Sequence, residues 1–160
     1  MKLSSPAMEP DQPTPTAHTA EGGNLSPPLH WADVPEGAAE LALIMIDLDA
    51  TSNGQPFVHW LVYGISPHRP GLPGGLLRRP RLEDLGAAQG KNSFGHVGYD
   101  GPAPPADAPP HRYRLDLVAL ARPLGIEPRA SYEMLRSAMS GAELARASLV
   151  TRCGRSGERR

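Results

Sequence analysis

Short apolar runs, separated by turn residues, organise most of the chain. Leu41 to Asp47 (LALIMID) is a continuous apolar run whose length suits a strand buried on both faces. Phe57 to Ile65 (FVHWLVYGI), rich in aromatic and branched residues, predicts a second strand. Strict alternation puts Phe57, His59, Leu61 and Tyr63 on one of its faces and Val58, Trp60 and Val62 on the other. Tyr113 to Ala121 (YRLDLVALA) predicts a third strand, with Tyr113, Leu115, Leu117 and Ala119 on one side. Between the second and third strands periodicity fades. That stretch carries GLPGG at 71–75 and GPAPP at 101–105, and a loop region so long inside a compact domain is where a working surface is expected.

Towards the C-terminus the pattern turns helical. Ser131 can cap a helix running through Met134, Leu135, Ala138 and Met139. Ser140 followed by Glu143 matches a capping box and places Leu144, Ala145, Ser148 and Leu149 on the stripe of a second short helix. Residues 1–40 are dense in Pro, Gly, Ser and Thr. They are expected as loops and short edge strands laid on the domain, because Trp31 and Val34 need something to pack against. The whole predicts one β-rich domain over residues 1–150, closed by two short C-terminal helices, with a polar tail at 151–160 that frays.

Composition narrows this picture. The 160 residues include 19 prolines and 17 glycines, so loops are plentiful. Sixteen basic residues balance 17 acidic ones, leaving a net charge of −1, so the self-repulsion that accompanies disorder is absent. That balance also argues against a nucleic-acid partner, which calls for a basic stripe. No run approaches a membrane span, and no long apolar run follows Lys2, so a cytoplasmic protein is the expectation. Cys153 is the only cysteine, which excludes an internal disulfide and a cysteine zinc site. It reads as a bystander surface thiol between Arg152 and Arg155.

Candidate chemistry gathers at the strand ends. Asp47 and Asp49 close the first strand, where carboxylates either line a cleft or cap a turn. His59 lies inside an apolar strand and needs partners for both ring nitrogens, whether it is a core residue or a functional one. His111, Arg112 and Tyr113 open the third strand as three polar donors in a row. Before them, Gly101 and Ala103 can offer main-chain N–H groups to an anion. Bare aspartates would repel that anion, so they must act through the histidines or meet a cationic head group. No G-x-S-x-G, Walker or H-E-x-x-H pattern occurs, and neither a metal nor a cofactor is expected.

Five segments, in order, resemble the phosphatidylethanolamine-binding protein family, in particular its bacterial Raf kinase inhibitor-like branch. They are GGNLSPPLHW at 22–31, DLDA at 47–50, FVHWLVYGI at 57–65, GKNSFGHVGYDGPAPP at 90–105 and HRYRLDLVAL at 111–120. The resemblance spans roughly residues 3 to 150. It implies an antiparallel β-sandwich with a large central sheet and short C-terminal helices. It also implies an anion pocket made of Asp47, Asp49, His59, Gly101, Ala103, Pro104, Pro105, His111 and Tyr113, with Phe57 at the rim. Leu48 and Thr51 stand where the family has prolines, and Ser93-Phe94 where bacterial members have Asp-Trp. The function so implied is binding of phosphate-type or other anionic ligands, such as a phosphoethanolamine-like head group, with regulation of a protein partner. Two alternatives stay open. One is a small hydrolase using His59 or His111 as general base. The other is a protein-interaction module acting through the Pro/Gly loops at 66–80 and 101–110.

Overall fold

A computed structural model describes residues 1–154. The apolar runs become the core of a six-stranded sheet. Its long strands are β3 (Glu40–Ser52), β4 (Gln55–Ile65), β8 (His111–Leu120) and β9 (Glu143–Cys153). Two short strands, β6 (Arg81–Leu82) and β7 (Ala87–Gln89), complete the order β6-β7-β4-β3-β8-β9. A three-stranded sheet, β1 (Lys2–Ser4), β2 (Leu29–Ala32) and β5 (Gly71–Leu72), covers one face. All pairings between named strands are antiparallel. The expected β-sandwich with a large central sheet is therefore what forms.

Both faces of the large sheet are buried, which is why β3 reads as a continuous apolar run. Its odd positions, Leu41, Leu43 and Met45, pack with Trp60, Leu115, Leu117 and the small sheet's Leu29, Trp31 and Leu72. Its even positions, Ala42, Ile44 and Ile46, pack under the helix residues Leu135 and Met139. Asn53 and Gly54, at φ 51° and 78°, form the tight β3–β4 turn that this hairpin geometry requires. Val34 packs against the same core as Trp31, so the N-terminal segment is part of the domain.

Only one of the two expected helices exists. α1 (Tyr132–Met139) begins as predicted, with Ser131 Oγ accepting the Met134 N–H at 3.1 Å. The second is a correction. Gly141, at φ +76°, turns the chain, and residues 143–153 become strand β9. Ala145, Ala147, Leu149, Thr151 and Cys153 alternate inward, and β9 covers the edge of β8 from Leu120↔Glu143 to His111↔Cys153. A row of small residues spaced by two fits a strand better than a helical stripe once that edge needs a partner. The tail expected from 151 onward also starts too early. Thr151 and Cys153 are buried, so Cys153 is not a surface thiol. Residues 155–160 lie outside the described residues. The N-terminal segment straps the outer edge of β9. Asp11 N–H donates to the Val150 carbonyl at 2.8 Å, Thr14 N–H to that of Arg152 at 2.7 Å, and Arg152 N–H to that of Gln12 at 3.0 Å.

Candidate functional site

A register break in β4 creates the site. Met45 pairs with Trp60, yet Ile46 pairs with Val58, leaving His59 as an extra residue. Such a bulge re-aims side chains. Strict alternation would put His59 opposite Trp60. Instead Val58 packs with Leu61 and Tyr63 on the helix side, and His59 meets the ring of Tyr113, whose own packing is with Trp60 on the other side. Further along, Phe57, Asp47, Tyr113 and Thr151 line up as neighbours across four strands. His111 lies two residues before Tyr113 on β8, on the same face.

The rings form one assembly. His59 lies 5.2 Å from Tyr113, 5.3 Å from Phe57 and 5.5 Å from Phe94, centroid to centroid. Phe94 meets Phe57 edge-on at 4.9 Å, and Tyr113 lies 6.4 Å from His111. Phe94 remains 42% exposed, and its loop is clamped to the bulge. Ser93 Oγ accepts the Val58 N–H at 2.7 Å, and the Ser93 N–H donates to the Val58 carbonyl at 2.8 Å.

Hydrogen bonds fix the histidines. His59 Nδ1 lies 2.7 Å from the Asp100 carbonyl, which can only accept. His111 Nδ1 lies 2.7 Å from Asp47 Oδ2. The other oxygen of Asp47 accepts the Asp49 N–H at 2.8 Å. This bond ties the Asp-x-Asp turn where Leu48 leaves no proline to stiffen it. Burial pushes the His59 imidazole below its ordinary pKa, against the pull of the Asp100 carbonyl and the Asp47 charge. Burial, then the Asp47 carboxylate, pushes the Tyr113 phenol well above its ordinary value. The Tyr113 hydroxyl faces the Asp47 carboxylate, yet it is the one fully buried side-chain polar atom, among the described residues, with no hydrogen bond within 3.5 Å.

Asp49 is engaged differently from Asp47. Arg112 grips it with its N–H at 2.7 Å, Nε at 3.1 Å and a terminal nitrogen at 2.8 Å. These bonds pull the Asp49 carboxyl from its usual 3.8 to about 2. A depressed acid stabilises the fold above its unfolded pKa and loses that contribution as pH falls through the folded value. Asp49→Asn is therefore expected to flatten the loss of stability between pH 4 and pH 2, as read by urea midpoints across that window. An unchanged slope would sink this account.

Gly101 holds a structural post. Its N–H donates to Asn24 Oδ1 at 2.7 Å, so the main-chain donor expected for an anion is taken inside the protein. Pro104 is buried, while Ala103 and Pro105 are exposed and make no hydrogen bond to the ring assembly. Asp100, absent from the expected set, organises this side of the site. Its carboxylate accepts Asn92 Nδ2 at 2.7 Å and sits 2.8 Å from His96 Nδ1, with Asn24 at 3.4 Å and Arg78 at 3.7 Å. Burial alone would raise this carboxyl. The bonds from His96, Asn92 and Asn24, with the Arg78 charge, outweigh it and hold the pKa low. Asn24 and Asn92 sit inside the NLSPP and GKNSFG segments, so polar residues in otherwise glycine- and proline-rich stretches were the available signal. Among the described residues, no group of three or more His, Cys, Asp or Glu side chains is placed to share a metal ion. No described helix is long and apolar enough to cross a membrane.

This geometry has relatives. A family model described as phosphatidylethanolamine-binding protein matches residues 4–154. A UPF0098 protein of Methanothermobacter thermautotrophicus is 41% identical over 150 residues, covering 94% of this chain and 96% of its own. The solved structure of Escherichia coli YbcL, described as a member of the mammalian PEBP family, superposes with a TM-score of 0.88 at 28% identity. It covers 97% of this chain and 98% of its own. The PEBP homologue CT736 of Chlamydia trachomatis gives 0.85 at 34% identity, with 97% of each chain covered. With the family model spanning nearly every described residue, the chain belongs to the phosphatidylethanolamine-binding protein family.

Proposed function

We propose that this protein binds phosphate-bearing small molecules at the end of the large sheet where His59, His111 and Tyr113 meet. The observation that carries this reading is the Tyr113 hydroxyl. A buried hydroxyl without a hydrogen bond costs the fold free energy, on the order of 1–3 kcal/mol, and calls for an explanation that a bound anion supplies. Beside it stand two histidines, each with its Nδ1 committed to a protein oxygen. Asp47 and Asp49 are each paired, so they act on a ligand through His111 and Arg112 rather than directly.

Tyr113→Phe is the discriminating variant. It removes an unsatisfied group from the unliganded protein, so thermal stability is expected to hold or rise. It also removes a donor to the ligand, so the affinity for phosphate is expected to fall about tenfold. Calorimetric titration of inorganic phosphate and phosphoethanolamine, with melting curves on both proteins, tests both halves. Equal phosphate affinity in the two proteins, or no binding by either, would overturn the reading.

A further inference from the structure

The hydrogen bonds that fix the histidines also decide where their protons sit. The Asp100 carbonyl has no proton to give, so His59 Nδ1 must carry one. Asp47 Oδ1 accepts the Asp49 N–H, and an ionised carboxylate is acceptor-only at Oδ2 as well, so His111 Nδ1 carries one too. A neutral imidazole holds a single ring proton, so each Nε2 is then a bare lone pair. With both rings neutral, the assembly therefore offers two acceptors and one donor, the Tyr113 hydroxyl. A fully ionised anion has only acceptors, and it would set its oxygens against those lone pairs.

Building on the proposed phosphate binding, we propose that the site selects an anion that brings its own proton: a phosphate monoester, in preference to a phosphodiester or a sulfate ester. A phosphate monoester loses its last proton near pH 6, so close to neutrality part of it still has a P–OH. That hydroxyl donates to one histidine Nε2, while an ionised oxygen accepts from Tyr113. A diester and a sulfate carry no such proton near neutrality. They bind only when a histidine takes one up from solvent.

The groups around the rings bear on that uptake. His59 faces the carbonyls of Asp100 and Gly101, the carboxylates of Asp47 and Asp100, the Tyr113 phenol, and the apolar rings of Phe57 and Phe94. His111 faces Asp47, with the Asp49–Arg112 pair beside it, Tyr113 on its own strand and Cys153 opposite it on β9. Burial opposes charge on His59 in particular, so uptake from solvent is costly there.

The test compares inorganic phosphate with inorganic sulfate, two tetrahedral anions of similar size, by calorimetry at pH 7 and pH 5 and constant ionic strength. Phosphoethanolamine against glycerophosphoethanolamine gives the monoester–diester arm. Phosphate is expected to bind about tenfold tighter than sulfate at pH 7, the effect of one unpaired polar contact, with the gap narrowing to about threefold at pH 5. Phosphoethanolamine should likewise exceed its diester at pH 7. Sulfate or diester binding as tight as the phosphate counterpart at pH 7 overturns the selectivity while leaving phosphate binding intact. Absence of heat with all four ligands at both pH values overturns the site itself, and this inference with it.

Discussion

Gly101→Ala is expected to lower the melting temperature by roughly 6–12 °C, corresponding to a loss of about 3 kcal/mol at this chain length. A Cβ at this position would lie 2.3 Å from the His18 carbonyl oxygen and 3.0 Å from backbone atoms of Thr19. These are main-chain atoms, so no side chain can rotate away. The His18 carbonyl is itself held, by the Tyr99 hydroxyl at 2.7 Å. The Gly101 N–H is fastened to Asn24, and its neighbour Asp100 supplies the carbonyl that orients His59. Relief of the clash must therefore move the loop that sets the histidine, and phosphate affinity should fall along with stability. Gly54→Ala is the control. Gly54 has a positive φ, 78°, but a Cβ there would meet nothing within 4 Å, so only the conformational cost of about 1 kcal/mol is expected. A Gly101→Ala protein that melts within about 2 °C of the parent, less than the shift from a 1 kcal/mol loss, would show that the approach to His18 is not tight.

The strands legible in the sequence are those whose central side chains go to the core from both faces. β3, β4 and β8 announce themselves because both faces of the large sheet are covered, so apolar residues run without interruption. β9 does not, because its inward residues are mostly small and its outward ones include Leu144 and Val150. That mixture also satisfies a helical stripe, and only the open edge of β8 decides between them. The bulge at His59 is hidden for a different reason. An extra residue is defined by what the partner strand does, and alternation counted along one strand cannot reveal it. The site divides the same way. Asp47, His59, His111 and Tyr113 sit on strands, where pattern and family resemblance together locate them. Asp100, Asn24, Asn92 and Phe94 lie in loops, and their roles come from contacts far along the chain, such as Asn24 with Asp100 and Gly101. Loop residues carry no periodicity from which such contacts can be inferred.

Asp47→Asn is expected to reverse the proton arrangement of His111 and with it the choice of anion. The Asp49 N–H, 2.8 Å from Oδ1, can only donate, so the new carboxamide must keep its oxygen there. The opposite orientation would face one donor with another. Its amino group is then turned to His111 Nδ1, at the present 2.7 Å contact, and it can only donate as well. Nδ1 must become the acceptor, and the ring proton moves to Nε2. A carboxylate that orients a histidine and fixes its tautomer is lost in just this way when an amide replaces it. The site then presents a donor without taking a proton from solvent or ligand. Removing the Asp47 charge alone would favour phosphate and sulfate alike. The tautomer change favours sulfate only, because it takes away an acceptor that the P–OH uses. The phosphate preference at pH 7 is therefore expected to shrink from about tenfold to about twofold, while the lost charge-assisted bond costs roughly 1–3 kcal/mol of stability. Two-bond proton–nitrogen correlation spectra of the imidazoles report the tautomer independently of binding. A His111 that keeps its proton on Nδ1 in the variant, or a phosphate preference that survives a demonstrated move to Nε2, would separate the histidine from anion selection.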